Sequence, residues 1–289
     1  MAKLKEMMHK NKDSGFYEES EEKMKFRAKD WWKYLVSIAL LIIYLFPFYI
    51  IINVSLKAFS DTTSRIQFPE TIYWDNYNKI IQSGEIFTGI KNCLIITVLV
   101  LLVEIVIGCM AAYGLARNQS KLNEIVRSLI MSVMMITPLT ILVGVYSTMS
   151  KIHATSTYWG MVLVLSAFGL PLVIFLYTNF ISSIPVALDE AAAIDGASNF
   201  QVFFKIILPQ LKTVTVTVII LQGVSVWNEF TYANTFMTKD EMKTLPIGLN
   251  AFVGEMGRRD WGATFSAIVI AILPTIIVYF FLNKQVMEG

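Results

Sequence analysis

Few side chains in this sequence could do chemistry, and those few are not arranged for breaking bonds. The two histidines, His9 and His153, stand far apart, and no His-Glu-x-x-His pair occurs. A zinc site and a histidine-based hydrolase both lack their parts. There is no Gly-x-x-x-x-Gly-Lys-Ser/Thr loop to cradle a phosphate, so this chain is not expected to hydrolyse ATP unaided. Cys93 and Cys109 fall in one apolar run. A helix would hold them roughly 24 Å apart, too far for a disulfide, so both are read as packing residues. What remains is non-covalent chemistry. Gln222, Ser225, Trp227, Asn228, Glu229, Thr231, Tyr232 and Asn234 crowd one otherwise apolar stretch, a density of hydrogen-bonding groups beyond what helix packing needs. Glu104 stands alone in another. A charge at the centre of a bilayer costs about 3 kcal/mol, so Glu104 must be neutralised, hydrogen-bonded or turned to a cavity. It suits the lining of a path or glue between helices. Gly108 and Ala112 follow it at helical spacing as a small-xxx-small face for close helix contact.

These groups are positioned by elements that are almost entirely apolar. Of 289 residues, 55% are hydrophobic and 16% charged, against about 25% charged in a soluble domain. Much of the chain therefore has a non-aqueous solvent. A formal net charge of +2 is too small to suggest nucleic acid. Six apolar runs, 34–56, 92–115, 128–146, 158–180, 213–236 and 261–282, each reach the ~20 residues that cross a hydrocarbon core of about 30 Å. Four carry no charge; the second holds Glu104 and the fifth Glu229. In lipid the backbone must satisfy its own hydrogen bonds, so the runs predict helices, and strands of a membrane barrel would alternate in polarity where these do not. The expected class is all-α, a polytopic membrane protein of six spans. A polar tail, residues 1–33, precedes the transmembrane domain, 34–289. The first run is too long, and its flank too long and polar, for a secretory signal peptide. Lys and Arg are more numerous on the side of the N-terminus, which places both termini in the cytoplasm. Lys23, Lys25, Arg27, Lys29 and Lys33 at the end of the tail could meet anionic lipid.

The segment between the fourth and fifth runs, 181–212, needs its own account. Pro185 closes the fourth helix region. Leu188 to Ile194 reads as a short alanine-rich helix, with Glu190 and Asp195 free to face water and Ala191, Ala192 and Ala193 offering a smooth face. Gly196 permits a turn that a side chain would obstruct. Ala197 to Ile207 reads as a second short helix with Phe200, Phe203 and Phe204 as anchors, and Pro209 marks re-entry to the fifth span. The residues alone suit two roles equally, a docking platform for another protein or an amphipathic connector on the membrane surface.

The spacing of these residues resembles a known signature. Glu190-Ala191-Ala192, three residues, Gly196, nine residues, then Ile206-x-Leu208-Pro209 is similar at every named position to the EAA motif of ABC importer permeases. Ala111-Ala112-Tyr113-Gly114-Leu115-Ala116-Arg117 resembles the end of the second core helix in carbohydrate permeases of that family. Trp227-Asn228-Glu229-Phe230 resembles its WNEF element, and Thr244-Leu245-Pro246-Ile247-Gly248-Leu249 the outer loop before its last helix. The likeness covers roughly residues 34–289 and points to the six-helix second permease of the maltose type. One departure is that the family's last helix is often followed by a further glycine-rich tail, whereas this sequence runs to Val286-Met287-Glu288-Gly289.

The resemblance implies a type I ABC importer permease fold and a non-catalytic subunit that forms half of a path for a sugar or oligosaccharide. It implies three kinds of partner besides membrane lipid: a second, homologous permease, two cytoplasmic ATPase subunits that hold ATP and Mg, and an extracellular solute-binding protein. No cofactor, metal or nucleic acid is expected on this chain. The coupling residues would be Glu190, Ala191, Ala192, Asp195, Gly196, Ala197, Leu208 and Pro209, seated in a groove of an ATPase. Sugars are bound by hydrogen bonds and aromatic stacking, so Ser225, Asn228, Tyr232, Trp227, Glu229 and Glu104 are candidates for the path. Ser225, Asn228 and Tyr232 would share a face of a continuous helix, with Trp227 and Glu229 bracing neighbours. Gly254-Glu255-Met256-Gly257, read as a turn, is the candidate contact with the binding protein. Two alternatives are an ABC permease for a non-sugar solute and an ion-coupled secondary carrier. The carrier would show inverted repeats and matched broken helices, and neither is apparent.

Overall fold

In the computed structural model, which describes residues 31–118, 120–255 and 260–288, every regular element among the described residues is helical. Helices α1 (Trp31–Ser55), α3 (Glu85–Arg117) and α6 (Tyr158–Ser183) are each long and apolar enough to cross a membrane. Two bent pairs raise the number to five if each pair is one span. In the first, α4 (Lys121–Val133) meets the segment Pro138–Lys151, which ends in α5 (Leu142–Lys151), at 91°. In the second, the segment Asn199–Gln210 meets α10 (Lys212–Trp227) at 69°. The last helix, α13 (Trp261–Glu288), contributes the apolar stretch Trp261–Ile277. The tail 1–30 lies outside the described residues.

The run 128–146 is thus not one straight helix. Pro138 has no amide hydrogen to donate and its ring excludes the carbonyl of the preceding turn. Thr137 before it is extended, with φ −69° and ψ 121°, as a residue preceding proline prefers. The run 213–236 is also divided, because α10 stops at Trp227 and a six-residue helix, α11 (Thr231–Phe236), restarts the chain.

The chain divides into two compact units, residues 1–50 and 51–289. In the first, α1 presents apolar side chains such as Ile43 and Tyr44 outward, the surface a lipid-facing helix requires. In the second, α3 is central and packs along α6, α10 and α12 (Leu245–Glu255). Close approach of α3 to α6 rests on Gly108, where a Cβ would lie 2.6 Å from Val173 Cγ1. One buried cluster, including Cys109, Ala112, Val173, Tyr177 and Ile181, runs on without a break into the 181–212 loop through Phe203, Ile207 and Leu211. A second joins Ile96, Val100 and Met161 to Tyr232 and Phe236. Cys93 lies in a third with Ile80, Ile86, Leu245 and Ala263. Both cysteines are buried and free.

At the end of α3 opposite the 181–212 loop, two connections are themselves folded. The segment 57–91 carries α2 (Asp75–Ser83). The Asn76 amide donates to the Ser55 and Lys57 carbonyls at 2.9 and 2.8 Å, and the Lys57 ammonium donates to Thr63 Oγ1 and the Ser64 carbonyl. Thr63 in turn donates from its hydroxyl and its amide to Asp61, holding that carboxyl below its ordinary pKa. The connection before α13 is tied down by Asn92 of α3, whose amide donates to the Glu241 and Lys243 carbonyls at 3.0 and 2.8 Å. The Asn92 oxygen accepts from the Tyr158 hydroxyl at 2.7 Å.

Candidate functional site

The 181–212 loop is built as a short, doubly capped knob. After Ile184 and Pro185, α7 (Ala187–Ile194) forms from alanines and leucine, the best helix formers available. It ends in a Schellman arrangement. The Gly196 amide donates to the Ala193 carbonyl at 3.0 Å and the Ala197 amide to the Ala192 carbonyl at 2.9 Å. That geometry places Gly196 at φ +82°, where any side chain is strained. Two residues later Ser198 starts the next helix, α8 (Asn199–Val202). Its hydroxyl accepts from the Gln201 amide, and its own amide donates to Gln201 Oε1 at 2.9 Å, which makes a capping box. A π-helical turn, Phe203–Ile207, and the one-turn helix α9 (Leu208–Gln210) return the chain to α10.

The candidate coupling residues fall on two sides of this knob. Glu190, Ala191, Asp195, Gly196 and Pro209 are exposed; Ala197 and Leu208 are half-buried; Ala192 is buried against the underlying cluster. The knob also exposes large apolar groups, Ile194 at 86% and Phe200 at 67%, with Leu188 and Phe204 beside them. The three phenylalanines form one chain of ring contacts, with Phe203 and Phe204 edge to face at 5.0 Å, but they divide between inside and outside. Phe203 is buried and its ring packs 5.2 Å from that of Tyr113, whereas Phe200 and Phe204, one turn apart and on one face, meet at 5.3 Å on the outside. Sequence reasoning missed the capping box, which was readable in Ser198-x-x-Gln201. It also missed the pairing of Arg117 with Asp189 at 2.7 Å; no local pattern links residues so distant in sequence.

The path candidates are separated by the break in the fifth run. Ser225 and Asn228 lie with Leu221 and Val224 on the exposed face of α10. Tyr232 does not join them. It is buried, its hydroxyl donates to the Pro138 carbonyl at 2.7 Å, and its ring packs against Phe168 and Phe236. The expected shared face requires a continuous helix, and Asn228 ends α10. Its amide donates back to the Val224 carbonyl at 2.8 Å, which also accepts the Asn228 backbone amide. Glu229 then caps α11, one carboxylate oxygen accepting the Tyr232 amide and the other the Ala233 amide, both at 2.8 Å. Trp227 is partly buried in the cluster around Cys93, and its carbonyl accepts from the Cys93 thiol.

Glu104 faces no cavity. It is wholly buried among α3, α6 and α10, where Gln222 Nε2 donates to its Oε1 at 3.1 Å. Gly169 of α6 makes the room, since a Cβ there would collide with Glu104 Oε1 and Gln222 Nε2. The carboxyl is thus part of the helix packing. A groove of about 990 Å³ between α3 and α6 is lined almost wholly by apolar groups such as Leu99, Val103, Val162 and Leu163; Ser225, Asn228 and Glu104 are not among them. Gly254 and Glu255 belong to α12 and not to a turn, while Met256 and Gly257 lie outside the described residues. Among the described residues no group of His, Cys, Asp and Glu could hold a metal ion.

Three comparisons place this geometry. Residues 104–286 match the family described as binding-protein-dependent transport system inner membrane component. The melibiose/raffinose/stachyose import permease protein MelC of Bacillus subtilis is 35% identical over 84% of this chain and 88% of its own. The multiple sugar-binding transport system permease protein MsmG of Streptococcus mutans is 31% identical over 93% and 96%. The trehalose/maltose permease protein MalG of Thermococcus litoralis is 29% identical over 88% and 92%. A chain of a bacterial ABC transporter that imports alginate superposes with a TM-score of 0.77 at 20% identity, over 90% of this chain and 98% of that one, which gives the fold as that of type I ABC importer permeases. Together with helices built to cross a bilayer, these matches lead to one conclusion: the chain belongs to the inner membrane components of binding-protein-dependent transport systems, as a non-catalytic permease subunit of an ABC importer.

Proposed function

We propose that this chain forms half of the translocation path for a sugar or oligosaccharide and that its 181–212 loop seats an ATPase subunit. The observation that carries the reading is the knob around Gly196. An isolated surface connector has no use for a rigid, doubly capped turn that holds Ile194 and Phe200 out into solvent, whereas a docking helix needs both rigidity and exposed apolar area. In this reading the assembly holds a second homologous permease, two ATPases that bind ATP and Mg, and an extracellular solute-binding protein. The loop and both termini face the cytoplasm. Support for a carbohydrate comes from the melibiose, raffinose, stachyose, trehalose and maltose named for the relatives, and support for a binding-protein partner from the alginate transporter solved with a substrate-loaded periplasmic protein. The exposed face of α10 carrying Ser225 and Asn228 would line the path against the second permease. The segment closing with Gly254, Glu255, Met256 and Gly257 would meet the binding protein.

The test is uptake of labelled oligosaccharides into proteoliposomes holding the full complex. Uptake should require both ATP and the binding protein. Gly196→Pro sets φ near −65° where the loop needs +82°, and Glu190→Lys reverses a charge on the exposed face. Each should abolish uptake while the chain still inserts in the membrane. Wild-type uptake and stimulated ATP hydrolysis in both variants would refute the docking role, and uptake driven by an ion gradient without ATP would favour the secondary carrier.

A further inference from the structure

Arg117, the last residue of α3, is held by more partners than any docking role requires of it. Its Nε donates to Asp189 Oδ2 at 2.7 Å and its Nη2 to Oδ1 at 3.4 Å. Its Nη1 donates to the carbonyls of Ile181 and Ile184 at 3.2 and 3.0 Å. Asp189 lies in the first turn of α7, and the two carbonyls belong to the last turn and end of α6. One planar guanidinium therefore joins three elements with fixed geometry, as a lysine could not. Both charged side chains are mostly buried, at 13% and 15% exposure, so water and salt compete weakly for the pair. One turn earlier on the same face of α3, Tyr113 packs on Phe203, in the second half of the knob. Towards the other end of α3, Asn92 holds the segment before α12. At 33 residues the helix is roughly 50 Å long, enough to reach across the whole membrane.

We infer that the Arg117–Asp189 pair is the joint through which displacement of the 181–212 loop is passed to α3 and α6, so that these helices and the knob move as one body. Arg117 and Asp189 are positioning residues and touch neither substrate nor nucleotide. The inference rests on the reading of the loop as an ATPase seat. A joint of this kind loses coupling when it is loosened, whereas a simple fold anchor loses only assembled protein. The two are separated by the ratio of solute imported to ATP hydrolysed.

The experiment compares the full complex, reconstituted with its binding protein, carrying Asp189→Asn, Asp189→Glu, Arg117→Lys, Arg117→Asp, or the exchange Arg117→Asp with Asp189→Arg. Asp189→Asn and Arg117→Lys should lower the import-to-ATP ratio by tenfold or more in complex that retains both ATPases and hydrolyses ATP. Asp189→Glu should retain most of the ratio, and the exchange should recover part of it relative to Arg117→Asp alone. An unchanged ratio in assembled Asp189→Asn and Arg117→Lys overturns the inference, as does failure of every variant, including Asp189→Glu, to assemble, because the pair is then a folding anchor. Cross-linking from Ile194→Cys to the ATPase is measured in the same membranes. Its absence in the parent complex refutes the seat, a different failure from an unchanged ratio with the cross-link present.

Discussion

The substitution Gly169→Ala adds one methyl group at the most crowded polar contact in the membrane-spanning core. The new Cβ would overlap Glu104 Oε1 and Gln222 Nε2 and sit 2.8 Å from the Glu104 carboxyl carbon. Glu104 is wholly buried and Gln222 nearly so, so neither side chain has solvent to swing into. Overpacking of this kind costs about 1–3 kcal/mol. Pushing the two groups apart also breaks their 3.1 Å hydrogen bond, and interhelical bonds in membranes are worth about 0.6–2 kcal/mol. The sum is about 2–5 kcal/mol, which at about 2 °C per kcal/mol lowers the melting midpoint by about 4–10 °C. The assay is thermal unfolding of the purified complex followed by intrinsic fluorescence. Gly223→Ala is the control, one residue from Gln222 on the same helix, where a Cβ meets only Leu101 Cδ1 at an ordinary 3.7 Å; its midpoint should stay or rise, since alanine is the better helix former. Gln222→Ala in the Gly169→Ala background removes one collision, so the double variant should lose less than the sum of the singles. A Gly169→Ala midpoint equal to wild type, or to that of Gly223→Ala, would refute the packing argument.

The break in the fifth run makes Asn228 and Glu229 behave oppositely. Asn228→Leu leaves the fold intact, because the Val224 carbonyl keeps its backbone donor, and should lower uptake or change sugar preference per mole of complex while the midpoint holds within about 0.5 kcal/mol, as for a surface change. Glu229→Leu removes the acceptor of two amides, at Tyr232 and Ala233, and should destabilise by about 1–3 kcal/mol, seen as a lower yield of assembled complex with near-normal uptake per assembled molecule. Normal transport by Asn228→Leu together with normal assembly but poor transport by Glu229→Leu would reverse the two assignments.

Much of the site was legible because it is local. Alanines followed by Gly196 dictate a short helix and a left-handed turn, and the structure forms them there; the capping box of Ser198 and Gln201, although equally local, was missed, and the second helix starts only at Asn199. The long helices were legible from apolar length alone, since lipid leaves the backbone no alternative. What failed was the assumption of continuity. Nothing in the apolar content of 128–146 or 213–236 marks a break; Pro138 did so in the first, and in the second Asn228 turns back on the Val224 carbonyl while Glu229 accepts the amides that start α11. With that break the face shared by Asn228 and Tyr232 disappears. Glu104 was open to two readings because burial is a property of three helices together; Gln222 and the missing side chain of Gly169 decide it. The Arg117–Asp189 pair was hidden for the same reason.

In the proposed mechanism the knob around Gly196 is where an ATPase takes hold of this permease. A photo-activated cross-linker placed at Ile194, 86% exposed at the tip of α7, tests it most directly in membranes expressing the whole transporter. One cross-linked product that contains the ATPase subunit is expected, and its loss when Gly196→Pro is introduced. Cross-links to lipid alone, with the ATPase still bound elsewhere on the complex, would make the 181–212 segment a surface connector and rule out its role as the ATPase seat.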